Sequence, residues 1–117
     1  MSDLLLSEFD LYRDENFIFH GEDEETGRQI VGYYNRQKVN KNEPDLRLYY
    51  DNDKANGALE FLALWLKVSE TGRKYLIGNR DGFCFVGFIN SNRLDESEPY
   101  ISICRVIKEQ RSDFKNG

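Results

Sequence analysis

"ALEFLALWLKVS", residues 58–69, admits two readings that lead to different folds. Its Ala, Leu, Glu and Lys are good helix formers. Yet Leu62, Leu64, Leu66 and Val68 form a period-two row, with Ala63, Trp65 and Lys67 opposite, as a strand requires. Gly57 precedes the stretch and Thr71-Gly72 follows it, which punctuates it as a strand between turns. The alternation predicts a long strand, with room for one helical turn at its start.

Working outward, "ETG" turns the chain into "RKYLIG" (73–78), and "NRDG" (79–82) turns it again into "FCFVGFIN" (83–90). Gly-containing loops of about four residues join hairpins, so 58–90 reads as a three-stranded meander. Upstream, "FIFHG" (17–21), "RQIVGYYNR" (28–36) and "LRLYYD" (46–51) read as strands, and downstream so does "YISICRVIKE" (100–109). Residues 2–12 read as a short helix, with Ser2 as cap and Leu4, Leu5, Glu8 and Phe9 at helical intervals. The expected fold is therefore all-β apart from that helix. It is a small OB- or SH3-like barrel, or a sandwich, built on the central meander.

The 117 residues suit one domain. Residues 1–15 are expected to form an acidic N-terminal segment, 16–110 a single β-rich domain and 111–117 a frayed tail. Hydrophobic content is only 39%, but aromatic content is 14%, and large rings can build a small core. Residues 1–27 hold nine acids against one base, Arg13, whereas the rest of the chain is mildly basic. No apolar run approaches the ~20 residues that span a bilayer, and the start lacks a basic leader region. A cytoplasmic location is expected, with Cys84 and Cys104 as free thiols.

Chemistry is thinly represented. His20 is the single histidine, which leaves no histidine relay and no His-rich metal site. "GEDEE" (21–25) lacks the spacing of a calcium loop, and no phosphate-cradling glycine motif is present. The sequence points away from an enzyme and implies no cofactor.

The binding signal lies in the third meander strand. Asp81-Gly82-Phe83-Cys84-Phe85-Val86-Gly87-Phe88 matches the RNA-binding strand K/R-G-F/Y-G/A-F-V-x-F/Y at six of eight positions, counting the free one. Asp81 and Cys84 are the misses. A complete RRM is excluded, because "SNRLDESEP" is too short and polar to supply its second helix. In a strand Phe83 and Phe85 share one face, and Cys84, Val86 and Phe88 the other. The reading that Phe83 and Phe85 form a stacking platform stands beside the reading that both faces are buried.

"LWLKVSETGRKYLIG" resembles a pattern in small uncharacterised phage, prophage and plasmid proteins, W-x-K-x-S-x-x-G-x-K-Y-x-x-G. It is carried here by Trp65, Lys67, Ser69, Gly72, Lys74, Tyr75 and Gly78. The resemblance covers about fifteen residues and implies a β-rich accessory protein of mobile-element origin with a binding role.

Two functions follow as expectations. The first is a binding module for single-stranded nucleic acid or a nucleoprotein complex. Phe83, Phe85, Tyr75 and Trp65 would stack on bases, and Arg73, Lys74 and Arg80 would meet phosphates. The second is an acidic protein-binding module, such as a phage-encoded inhibitor of a host nucleic-acid enzyme, acting through Glu22, Asp23, Glu24 and Glu25.

Overall fold

The computed structural model describes residues 4–91, 93, 95 and 97–107. It contains eight strands: β1 (Leu4–Arg13), β2 (Phe19–Glu22), β3 (Gln29–Tyr34), β4 (Leu46–Tyr50), β5 (Leu62–Val68), β6 (Lys74–Arg80), β7 (Phe83–Ile89) and β8 (Ile101–Ile107). Each strand pairs antiparallel with its neighbours in sequence, and β8 closes onto β1. The result is an eight-stranded up-and-down barrel. This simple order differs from the five-stranded Greek key of an OB-fold.

The 58–69 stretch resolves as a strand, but only from Leu62 onward. Leu62 and Leu64 are buried, while Trp65 lies on the opposite, outer side. The helix expected over 2–12 is not formed. Leu4–Arg13 is the longest strand, with ten residues, because β8 offers a complete edge and Phe9 and Leu11 alternate into the core. Tertiary pairing overrides the weak local helical spacing. The "NRDG" turn is also tighter than four residues. Arg80 pairs directly with Phe83, leaving a two-residue loop in which Asp81 and Gly82 both have positive φ, 54° and 83°. That is the Asp-Gly type I′ hairpin, whose twist matches its strands. The tail 111–117 lies outside the described residues.

Closure depends on β1 and β5, which sit opposite each other and serve two sheets. β1 pairs with β8 through Leu4–Leu11 and with β2 through Tyr12 and Arg13. β5 pairs with β4 through Leu62–Leu64 and with β6 through Trp65–Val68. At each corner the neighbouring strand carries a glycine against the backbone. A Cβ on Gly21 would lie 2.5 Å from the Asp10 carbonyl oxygen, and one on Gly78 would collide with the Ala63 carbonyl. Only glycine allows the two backbones to approach this closely.

An eight-stranded barrel is just wide enough either to fill with side chains or to hold one small ligand. Here it is filled. Leu11, Ile30, Leu46, Leu48, Leu64, Leu76 and Ile103 are fully buried. Each such side chain stabilises the fold by ~1.5–3 kcal/mol relative to exposure. The one buried charge among the described residues is Asp45. Its carboxylate accepts from Leu66 N at 2.7 Å and pairs with Lys38 Nζ at 3.3 Å. Trp65 Nε1 donates to the Asn42 carbonyl at 3.0 Å. Together these bonds pin the 35–45 loop to β5.

Candidate functional site

The up-and-down order sends alternate turns to alternate ends of the barrel. The 23–28, 51–61 and 81–82 connections lie at one end, and the 14–18, 35–45, 69–73 and 90–100 connections at the other.

At the first end a cavity of about 530 Å³ opens over Tyr50 and Phe61, whose rings stack at 4.0 Å. Arg28 and Arg80 lie over these rings at 4.4 and 5.1 Å. The cations here are already neutralised by carboxylates. Arg28 Nε donates to Asp51 at 2.8 Å, Arg80 lies 3.5 Å from Asp81 and Arg105 lies 3.3 Å from Glu8. The Tyr50 hydroxyl donates to Asp23 at 3.0 Å. Burial, and then Asp23 against the opposing pull of Arg80, raises the Tyr50 hydroxyl above its ordinary pKa. Asp23 is thus committed to Tyr50 and to the Glu25 and Thr26 amides. Of the four acids expected as a protein-binding surface, Glu22, Glu24 and Glu25 remain exposed.

The second end has different chemistry. Its mouth, about 340 Å³, has an apolar floor of Phe19, Leu76 and Ile101, and Arg13, Arg36 and Lys74 on its rim. Among the described residues no carboxylate lines it. Among the described residues none of these three cations pairs with an acid. Arg13 lies over Tyr100 at 4.3 Å and over Phe17 at 5.1 Å, and Arg36 lies over Phe17 at 4.7 Å.

Phe17 is presented by a turn built on Asp14. The Asp14 carboxylate accepts from Asn16 N at 2.8 Å, from Ile18 N at 3.0 Å and from His20 Nε2 at 2.7 Å. The turn holds Phe17 at φ 64°, a conformation that a bulky residue adopts only when its surroundings impose it. The Ile18 amide, and then His20, hold the Asp14 carboxyl below its ordinary pKa. Because the folded pKa is depressed, this stabilisation is present above the ordinary carboxylate pKa and is lost as pH falls through the lower folded value. The Asp14 carboxyl carbon resonance is expected to titrate with a midpoint below the ordinary aspartate value of ~3.9. A midpoint at or above that value would contradict this arrangement.

Beside this mouth, and sharing Lys74 and Ile89 with it, a shallow recess of about 710 Å³ runs over the outer face of β6 and β7. Lys67, Tyr75 and Phe88 form one cross-strand row. Trp65, Ile77 and Val86 form the next. Arg73 and Lys74 border the recess, and among the described residues no acid lines it. Phe88 is 44% exposed.

The seven residues expected to bind nucleic acid are therefore divided. Arg73, Lys74 and Tyr75 come together in the recess, and Trp65 lies in the neighbouring row. Arg80 and Phe83 are at the opposite end, where Arg105 lies 4.6 Å over the Phe83 ring. Phe85 is 9% exposed and belongs to the core. The expected platform is corrected accordingly: Phe83 and Phe85 do share a face, but it is the inner one, since the closing barrel fills its interior from β7. The sequence reading missed Phe88 as the outward ring, and it missed Arg13, Phe17, Tyr34 and Arg36 at the mouth. Phe88 was within reach, because it sits on the side opposite Phe85. Those four mouth residues come from two separate segments, 13–17 and 34–36, and share no local signal.

Among the described residues no group of three His, Cys, Asp or Glu side chains is placed to hold a metal, and no helix is long and apolar enough to cross a membrane. Cys84 and Cys104 are free, and burial together with Asp10 and Glu8 raises the Cys104 thiol pKa, which disfavours the nucleophilic thiolate. Compared with known proteins, the chain matches no family model, no curated protein and no solved structure.

Proposed function

We propose that this chain is a non-enzymatic binding module for single-stranded nucleic acid, taken up across the outer recess of β6 and β7. One observation carries the reading: Tyr75 and Phe88 stand directly opposite each other on adjacent strands, beside Lys67, Arg73 and Lys74, with no carboxylate among the described residues of the recess. Stacking faces next to unneutralised cations are what a sequence-tolerant single-strand groove needs. OB-folds use strand-borne rings in the same way, and here the rings sit on the outside of a filled barrel. We extend to the chain the mobile-element origin implied by the resemblance around Trp65, Lys67, Tyr75 and Gly78.

Fluorescence anisotropy with a labelled single-stranded oligonucleotide tests the reading. Affinity is expected to fall as salt rises, with a log–log slope of about −0.7 per phosphate contact. The double variant Arg73→Gln/Lys74→Gln should flatten that slope. A duplex of the same sequence should bind more weakly, because its bases are not free to stack. Absence of binding at low salt, or a slope unmoved by the double variant, would overturn the proposal.

The exposed Glu22, Glu24 and Glu25 at the far end favour the second reading, an acidic surface for a basic protein partner. It would take the lead if nuclease-treated extracts still yielded a partner whose capture depended on Glu24 and Glu25.

A further inference from the structure

Resting on the single-strand reading above, we propose that the barrel mouth bounded by Arg13, Arg36 and Lys74 is a pocket for one phosphorylated nucleotide unit. Its base would enter the apolar cup and its phosphate would meet the three rim cations. The unit is either the phosphorylated end of a strand or a free mononucleotide, and the two present the same chemistry.

Charge is the first argument. The two barrel ends each bring cations to a cavity, but only this one leaves them without carboxylate partners among the described residues. Three unneutralised cations around one opening favour a compact anion, and guanidinium groups bind phosphate through paired, charge-assisted hydrogen bonds. Depth is the second argument. The floor residues Phe19, Leu76 and Ile101 are themselves core, and the layers beneath them, including Leu11 and Leu64, are fully buried. The cup is therefore shallow. A long acyl chain finds no tunnel to enter, whereas a flat ring about one base thick has a floor to rest on and rings beside it. Phe17 and Tyr34 are the exposed aromatics of this wall, 50% and 43% accessible.

Phe17 is the third argument. The chain holds an aromatic residue in the left-handed region, secured by the Asp14 carboxylate, at the one position where its ring meets both Arg13 and Arg36. Strain of this kind gathers at ligand clamps. The ring also keeps the two guanidinium groups in place before a phosphate arrives, which lessens the ordering that binding requires. Lys74 borders both the cup and the outer recess, so a strand lying across Tyr75 and Phe88 can place its terminal nucleotide in the mouth without a break.

Calorimetry on the full chain tests this with adenosine 5′-monophosphate, adenosine and sodium decanoate. Single-stranded octamers bearing a 5′-phosphate, a 3′-phosphate or neither form a second arm. The monophosphate should bind about tenfold or more tightly than the nucleoside. The exposed Arg36→Gln variant should abolish that difference, and Phe17→Ala should weaken both ligands. One phosphorylated octamer should outbind the unmodified strand if the natural ligand is a strand end. Equal enhancement of neither octamer, with the monophosphate still bound, assigns the pocket to free nucleotide. Equal affinity for monophosphate and nucleoside, absence of binding by both, or displacement of the monophosphate by decanoate would overturn the proposal. Arg36→Gln keeps it falsifiable if Phe17→Ala fails to fold. If octamers bind with no preference for a phosphate and the monophosphate does not bind, the pocket falls alone. If the monophosphate binds and no octamer does, the outer-face reading falls alone.

Discussion

Gly78→Ala is expected to unfold the protein or to lower its stability by more than the ~1–3 kcal/mol usual for overpacking. The new methyl group would meet the Ala63 carbonyl at a distance that real Cβ atoms do not reach, and it would also lie only 3.0 Å from Leu64 Cδ2. The obstacle is backbone, so no rotamer change relieves it. That backbone belongs to β5 two residues before Trp65, where the strand passes from pairing with β4 to pairing with β6. Moving it aside opens the barrel seam, where a domain with only ~5–15 kcal/mol of total stability has little reserve. Gly32→Ala supplies the comparison. There the nearest atom to the added methyl is the end of a side chain, Leu48 Cδ2 at 2.7 Å, with Phe19 Cβ at 3.2 Å, and a side-chain tip yields more cheaply than a backbone carbonyl. Urea denaturation should rank Gly78→Ala well below Gly32→Ala in stability. A Gly78→Ala protein that melts with the parent would mean that the β5–β6 corner is not closed as described.

The strand content was legible because its signals are local. Leu46 and Leu48 alternate with Arg47, Leu62 and Leu64 alternate with Ala63, and Asp81-Gly82 marks a hairpin in any context. The first strand was not legible. Leu4, Leu5 and Leu6 are all exposed, so no inside–outside pattern marks them, and Ser7 to Phe9 contains a register shift that interrupts the period. Only pairing with β8, about a hundred residues away in sequence, makes that segment a strand. The candidate site divides along the same line. Arg73, Lys74 and Tyr75 are consecutive and were found together. Arg13, Phe17 and Arg36 meet only through barrel closure, and the sign of that mouth depends on where the acids went. The many acids of 1–27 read as an acidic segment set against a mildly basic remainder. Instead Glu8 neutralises Arg105, Asp14 builds the Phe17 turn and Asp23 holds Tyr50.

The β7 strand "FCFVGFI" gives the sharpest separation between folding and binding. Phe85→Ala should destabilise the protein by ~3–5 kcal/mol, the usual loss for a large ring in a core, because Phe85 belongs to the buried cluster. Phe88→Ala should change stability by no more than ~0.5 kcal/mol, as at other exposed positions. It should weaken oligonucleotide binding by ~1–3 kcal/mol, the value of one lost stack. Phe83→Ala should do neither to this extent. Its ring is 43% exposed at the opposite end and carries Arg105 alone, a cation–π contact of ~0.5–1 kcal/mol at an exposed site. Thermal melts and anisotropy on the same three variants therefore place each ring. The reverse pattern, with Phe88→Ala unfolded and Phe85→Ala stable, would have one structural meaning. A one-residue slip of β7 against β6 and β8 exchanges its two faces, and it would turn Phe83 and Phe85 outward as the stacking pair.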